Sequence, residues 1–446
     1  MTLSVATCFG ALLWLLWLLR RDRVSLGLPV AYMILLLLIH VPGATAHIVG
    51  DGYLGDPEPT RIGIRFTAIG AISFVVGVIV ARLVVPGTTM VRPRDNRPFF
   101  IFCIGGGWFF NYGLGFLARI PSLGAAIVYG GAVWMLGVML GLRAAIFRGD
   151  AKWLAIWFGA LAVYPVLSLL LGGFLSYGTA ATVISCCILT ISTRSPFRAV
   201  IGLALALVLG FNLFLSYFQN RTEIRGTVWG GAAIEQRVDA TFDMFRDFEF
   251  FDPSNPLHLI AIDQRLNQNY FAGLAAIRIS EGSVDYLHGR SVWEGLMSLV
   301  PRALWPSKPV FGGSPEIVAD MTGLVLSPTS SFGVGNVMEF QINFGVPGLV
   351  IGFVALGLLI GLLDRKAAVA ENEGNLPATF LYFLPAVALI QPGGSMVEML
   401  GGAAAALVAA FGWKWLWVHW GARKFAQRQP QANYGSRRFG RGSYRL

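Results

Sequence analysis

Apolar residues in this 446-residue chain gather into long runs separated by short polar breaks. A membrane span needs about 20 mostly apolar residues. Eleven runs approach that length: 3–19, 24–45, 62–85, 99–118, 122–142, 153–173, 176–192, 199–218, 345–363, 376–392 and 398–418. The run 176–192 is short and polar at its start. The pattern predicts an all-α polytopic integral membrane protein of about 11 transmembrane helices, with one large, partly helical outer loop. It divides the chain into an N-terminal membrane bundle of about eight spans (1–218), a loop domain (219–344), a C-terminal bundle of about three spans (345–418) and a basic tail (419–446).

Composition agrees. Hydrophobic residues make up 55% of the chain and charged residues only 13%, against about 25% charged in an ordinary soluble domain. That is too little polar surface to coat a soluble body of this length. A soluble globular protein, a disordered chain and a nucleic-acid binder are therefore poor readings. The four cysteines, Cys8, Cys103, Cys186 and Cys187, lie in apolar runs. Their spacing indicates neither a disulfide framework nor a zinc site. The first apolar run precedes its positive cluster, the reverse of a signal peptide, and reads as a retained span.

Net charge is +10, and its distribution sets an orientation through the positive-inside rule. One side receives Arg20, Arg21, Arg23, Arg82, Arg92, Arg94, Arg97, Arg143, Arg148, Lys152, Arg194, Arg198, Arg365 and Lys366, together with the arginine-rich tail. Short loops on the other side hold only Arg61, Arg65 and Arg119. This alternation places the N-terminus and the 219–344 loop outside and the C-terminus in the cytoplasm. The loop itself carries nine Lys/Arg against fourteen Asp/Glu, a formal −5. Anionic membrane lipid attracts the positive face, and nucleic acid is not expected as a partner.

Ionisable residues in mid-span usually mark ion or proton paths. Here there are only His40 toward an outer end, Glu398 at the start of the last span and Lys414 near its inner end. That argues against an ion-driven transporter. An interfacial or backbone-paired histidine accounts for His40.

A structureless connection of some 125 residues is far beyond ordinary loop length, so the outer segment is where chemistry is expected. Residues 232–251 read as a surface helix with acidic and aromatic positions. Asp247 and Glu249 resemble a metal pair only superficially, and a solvated helix face explains them. Residues 257–279 read as one helix with a polar cluster at Asp263, Arg265, Asn267 and Asn269. Residues 290–300 read as an amphipathic helix leading into PRALWPSKP (301–309). Three prolines in nine residues stiffen that stretch and exclude a helix through it. Arg302 and Lys308 thereby stand on a rigid scaffold, with Trp305 suited to the membrane interface. Such a cationic pair fits a lipid diphosphate head, and it equally fits an anchor on anionic phospholipid.

VPRALWPSKP (300–309), followed by Glu339 and NFGVPG (343–348), resembles the bacterial oligosaccharide repeat unit polymerases, the O-antigen and exopolysaccharide polymerase family. The motifs cover about 50 residues, and the plan of many spans with one late periplasmic loop covers the chain. The resemblance implies a glycosyltransferase with a lipid-linked donor, of GT-C-like plan, in the bacterial inner membrane. Such enzymes join repeat units carried on undecaprenyl diphosphate at the periplasmic face, and a flippase and a chain-length regulator of the same pathway would be partners. Positive charge should stabilise the departing diphosphate, with Arg278, Arg290, Arg302 and Lys308 as candidates. A carboxylate or imidazole should accept the proton of the attacking hydroxyl. Glu281, Asp285, His288, Glu316 and Glu339 are candidates, with Glu339 favoured because it lies in the matching motif. Trp305, Arg265, Glu281, Glu316 and Asn343 would contribute to diphosphate or glycan binding. An R-x10-G pattern linked to such loops occurs at Arg278 to Gly289 and at Arg302 to Gly313. No metal and no cofactor are expected. A glycan ligase using the same donor, a lipid-linked oligosaccharide flippase and a non-catalytic accessory protein are the alternatives.

Overall fold

The computed structural model describes residues 1–50, 54–87, 96–120, 123–173, 175–193, 195–246, 249–300, 304–309, 313–326 and 333–421. Among them the chain is all helix, with no strand. In order the helices are α1 (Thr2–Asp22), α2 (Leu28–Leu38), α3 (Val41–Val49), α4 (Glu58–Val84), α5 (Arg97–Trp108), α6 (Leu123–Gly131), α7 (Val133–Arg148), α8 (Ala151–Gly172), α9 (Leu175–Ser192) and α10 (Pro196–Trp229). The segment after α10 supplies α11 (Ile234–Arg246), α12 (Pro256–Arg265), α13 (Gln268–Ser280), α14 (Arg290–Ser298) and α15 (Ser314–Thr322). The chain returns through α16 (Asn336–Asn372), α17 (Leu376–Leu389) and α18 (Met396–Leu416).

Helices occupy all eleven of the apolar runs. Among the described residues eight segments are long and apolar enough to cross a membrane, α2 with α3 and α6 with α7 each counting as one, while Gly178–Ser192 and Leu376–Leu389 are shorter apolar helices. The chain is an all-α, multi-pass membrane protein. Local chemistry sets several boundaries. Asn96 and Asp150 accept the Phe99 and Trp153 amides and cap α5 and α8, satisfying donors a helix start leaves bare. Ser395 and Glu398 form a capping box at α18.

Two sequence expectations change in detail. The stretch read as one helix over 257–279 is two, α12 and α13, broken at Leu266 and Asn267. Asn267 is drawn away by a distant partner, donating to Thr60 Oγ1 at 2.8 Å, and it also donates to Asp263 Oδ1, four residues earlier, at 2.6 Å. At the other end, the 344/345 boundary is a kink inside α16. Phe344 (φ −144°) and Gly345 (φ 64°) leave helical geometry, with Pro347 just beyond. Residues 336–343 are thus a short helix of their own and are almost wholly buried.

The core is a spine of α4 against α16, drawn close by glycine. A Cβ at Gly77 would overlap the Val354 carbonyl, and one at Gly357 the Phe74 carbonyl. Small residues permit such approach where lipid offers no hydrophobic drive between helices. The same device seats the α11–α15 segment. A Cβ at Gly63 would overlap the Asn269 carbonyl, and one at Gly273 the Pro59 carbonyl, so α13 lies directly on α4.

Ion pairs close the opposite end of α4, about 30 Å away at 1.5 Å per residue. Asp22 accepts from Arg82 at 2.9 Å and Arg365 at 2.7 Å, and Arg365 also donates to the Val85 carbonyl at 2.8 Å. Asp364 accepts the Leu26 and Leu28 amides, and Arg143 pairs with Glu371 with both side chains buried.

Candidate functional site

Three chain segments meet at the start of α16. Gly335 (φ 71°) turns the chain into the helix, and Glu339 projects from its first turn with no exposed surface. Its Oε2 accepts the Met396 amide at 2.7 Å. Met396 opens α18, where the unpaired N–H groups and helix dipole favour a carboxylate. Glu339 Oε1 has no hydrogen-bond partner among the described residues. One turn on, the buried Asn343 amide donates to Ser291 Oγ at 2.8 Å and to the Glu339 carbonyl at 2.6 Å, while its own Oδ1 is unpartnered. The Ser291 hydroxyl faces the Glu339 carboxylate, and Glu294 and Glu398 lie near enough to act on it by charge.

The turn 286–289 wraps the α16 kink. Leu287 donates to the Ile342 carbonyl at 2.8 Å, the Tyr286 hydroxyl lies over Gly345, and Gly289 (φ 87°) lies against the Phe344 ring. His288 sits exposed in left-handed backbone (φ 47°), its ring 6.3 Å from that of Tyr286. Arg290, exposed at the start of α14, pairs with Glu294 at 3.0 Å. Glu339, Asn343, His288 and Arg290 therefore share one corner. The arrangement provides a dry carboxylate oxygen without a hydrogen-bond partner among the described residues, amide and hydroxyl dipoles beside it, and, at the exposed start of α14, the Arg290 guanidinium held on Glu294.

The other expected residues lie elsewhere. Arg278 packs on Gly323 and donates to the Asp320 carbonyl at 3.1 Å, joining α13 to α15. Glu281 and Glu316 are exposed on those two helices. Lys308 donates to the carbonyls of Ser298 at 3.2 Å and Val300 at 2.9 Å, which caps the end of α14. Trp305 donates to Ser307 Oγ at 3.2 Å. Arg302 lies outside the described residues, as do Asp247 and most of the basic tail. Glu249 is exposed, with an oxygen 3.4 Å from the buried His258. Among the described residues no three metal-ligating side chains converge.

Arg265 lines a 270 Å³ cavity with Asp263, Gln264, Asn267, Tyr270 and Phe271. Asp263 accepts from His47 at 2.9 Å. Asn269 is fully buried beside the equally buried His40, whose Nδ1 lies 2.9 Å from Asn269 Oδ1. The α10 residues Arg221 and Arg225 reach the same place. Burial first, and then the charges of Arg221 and Arg225, pull the Arg265 guanidinium down to about 10.

Sequence reasoning passed over Ser291, Glu294 and the pairing of Arg221 with Arg225 on α10, and it placed Glu398 only as the start of the last span. The S-x-x-E of the α18 cap was a legible signal, and so was the helical spacing of Phe211, Phe214, Phe218, Arg221 and Arg225. No family model, curated protein or solved structure matches the chain.

Proposed function

We propose that this chain is a membrane glycosyltransferase of the bacterial inner membrane. In this reading it joins oligosaccharide units carried on a polyprenyl diphosphate into a surface polysaccharide, with its 219–344 segment on the periplasmic side. The observation that carries the proposal is Glu339, a buried carboxylate with one oxygen fixed by the Met396 amide and the other without a partner.

In the proposed step the hydroxyl oxygen of the incoming unit attacks the anomeric carbon of the growing chain. The bond from that carbon to the diphosphate oxygen breaks, and the diphosphate keeps the electron pair. Glu339 Oε1 takes the hydroxyl proton. Asn343 and Ser291 hold Glu339 in place, and Arg290 supplies positive charge toward the leaving group. Because Glu339 is sealed by the 286–291 turn, the acceptor reaches it when that turn lifts from the kink. A ligase would use the same donor chemistry with a different acceptor.

The test is Glu339→Gln in cells that make the polymer. Loss of polymer with accumulation of single lipid-linked units, at normal protein level, supports the reading. Wild-type polymer from this variant overturns it.

A further inference from the structure

A second feature, separate from the Glu339 corner, runs along one face of α10. Phe211, Phe214, Phe218, Arg221 and Arg225 follow at intervals of three and four residues, so they form one stripe. The stripe changes from aromatic to cationic along its length.

At its apolar end lies a 510 Å³ groove between α1, α2, α3 and α10, with Leu37, Val41, Val208, Phe211, Phe250 and Phe251 in its walls. Asn212 Oδ1 accepts the Phe251 amide at 2.6 Å and pins that segment over the groove. Phe211 and Phe214 then pack with Phe251 on Leu259, Ile262 and Leu266. Phe214 stacks on Phe218 at 6.3 Å. Phe218 carries the guanidinium groups of Arg221 at 5.0 Å and Arg265 at 5.3 Å, and Arg225 lies 5.3 Å over Trp229. Phe211 and Phe214 thus share one cluster beside the groove, Phe218 links it to Arg221 and Arg265, and Arg225 follows one turn on over Trp229.

Length sets the depth of the two ends. The apolar run of α10 covers 199–218, and polar residues follow from Gln219. About 20 residues cross the hydrocarbon, so Arg221 and Arg225 stand at the head-group level and the groove lies below them. Three like charges converge here in an outer segment whose formal charge is −5. An arginine fork matches phosphate oxygens in pairs.

We propose that Arg221, Arg225 and Arg265 hold the phosphate or diphosphate head of a membrane lipid whose chain lies in the groove beneath. This site stands whether or not Glu339 transfers a glycan. If it does, α10 and α12 mark where a lipid-linked substrate enters.

The experiment uses the purified full-length protein in neutral detergent, with farnesyl diphosphate as probe and tryptophan fluorescence as readout. Farnesyl diphosphate should bind, and both farnesol and inorganic diphosphate should bind at least tenfold more weakly. Arg265→Gln and the Arg221→Gln/Arg225→Gln pair should each weaken farnesyl diphosphate at least tenfold. Val208→Trp, on the lipid-facing groove wall and away from the charges, should weaken it several-fold while leaving inorganic diphosphate unchanged. Glu339→Gln should bind as wild type, which separates failure of this site from failure of the transfer reading. Equal binding of farnesol, equal binding of inorganic diphosphate, or unchanged binding in the arginine and Val208→Trp variants overturns the proposal. If an arginine variant fails to fold, Val208→Trp and the two control ligands decide alone.

Discussion

Glu339 on α16 accepts the backbone N–H of Met396 at 2.7 Å, and this contact ties the first turn of one late helix to the first turn of another. It fixes where a carboxylate oxygen points without the help of a cation. Replacing the carboxylate with an amide keeps shape and bulk but removes the base. Glu339→Gln should lower transfer by about 100-fold or more and leave detergent-purified protein folded. The check is polymer formation against accumulated lipid-linked units, beside a melting curve.

Gly289 should behave as a positioning residue. Its backbone is left-handed (φ 87°) and its Cα faces the Phe344 ring. A methyl group there strains the backbone by about 1–2 kcal/mol and pushes the 286–289 turn off the α16 kink. Gly289→Ala should cut transfer more than tenfold with only a few degrees lost in melting temperature. Activity equal to wild type would remove the turn from the site.

Arg143 and Glu371 are buried as a pair. Truncating one partner strands the other charge, at a cost of about 3–5 kcal/mol. Arg143→Met should therefore melt well below wild type. The double variant Arg143→Met/Glu371→Leu should regain most of the loss. A double-mutant cycle on thermal unfolding in detergent measures the coupling.

The pH dependence at Arg265 has a definite sign. Burial and the neighbouring arginines bring its folded value down to about 10, below the ordinary guanidinium range. The unfolded chain therefore holds this proton more tightly. The cost of the charge in the fold is complete at neutral pH and relaxes only as pH rises through about 10. Arg265→Gln should melt higher than ligand-free wild type at pH 7, and that gap should narrow between pH 9 and 11. A gap that does not change with pH would sink this account.

Topology gives a fifth check. A reporter fused near residue 260 should read periplasmic and one at residue 430 cytoplasmic. The reverse pattern would move Glu339 to the wrong side for a periplasmic reaction.

Much of this architecture was legible in the order of residues. Runs of leucine, valine and phenylalanine marked each long helix, because a span must satisfy its backbone internally and coat itself in apolar side chains. NFGVPG read as the entry from the loop into a span, and the structure makes the same place a kink inside α16, since glycine and proline break helical geometry. What stayed hidden depends on partners far along the chain. Asn267 looks like a helix residue until Thr60, 207 residues earlier, claims its amide. Arg82, Arg143 and Arg365 read as orientation signals, yet each also neutralises a carboxylate elsewhere in the chain. Lys308 read as a phosphate ligand, while the structure turns its ammonium onto the end of α14. Gly63 and Gly273 are two among 54 glycines, and nothing local distinguishes a glycine that admits a neighbouring helix from one that does not. Arg265 was visible as a polar outlier, but its convergence with Arg221 and Arg225 required the α10 to α12 packing.

The glycine face of α4 has a consequence for how the protein is made. α4 enters the membrane early in synthesis, yet the helices that cover it, α13 and α16, begin about 200 and 270 residues later. Until they arrive, α4 exposes a smooth, small-residue groove to lipid and to any other helix in reach. A chain truncated before residue 336 should therefore be a substrate for membrane quality control rather than a stable half-protein, and the late helices act as the closing clamp of the N-terminal bundle.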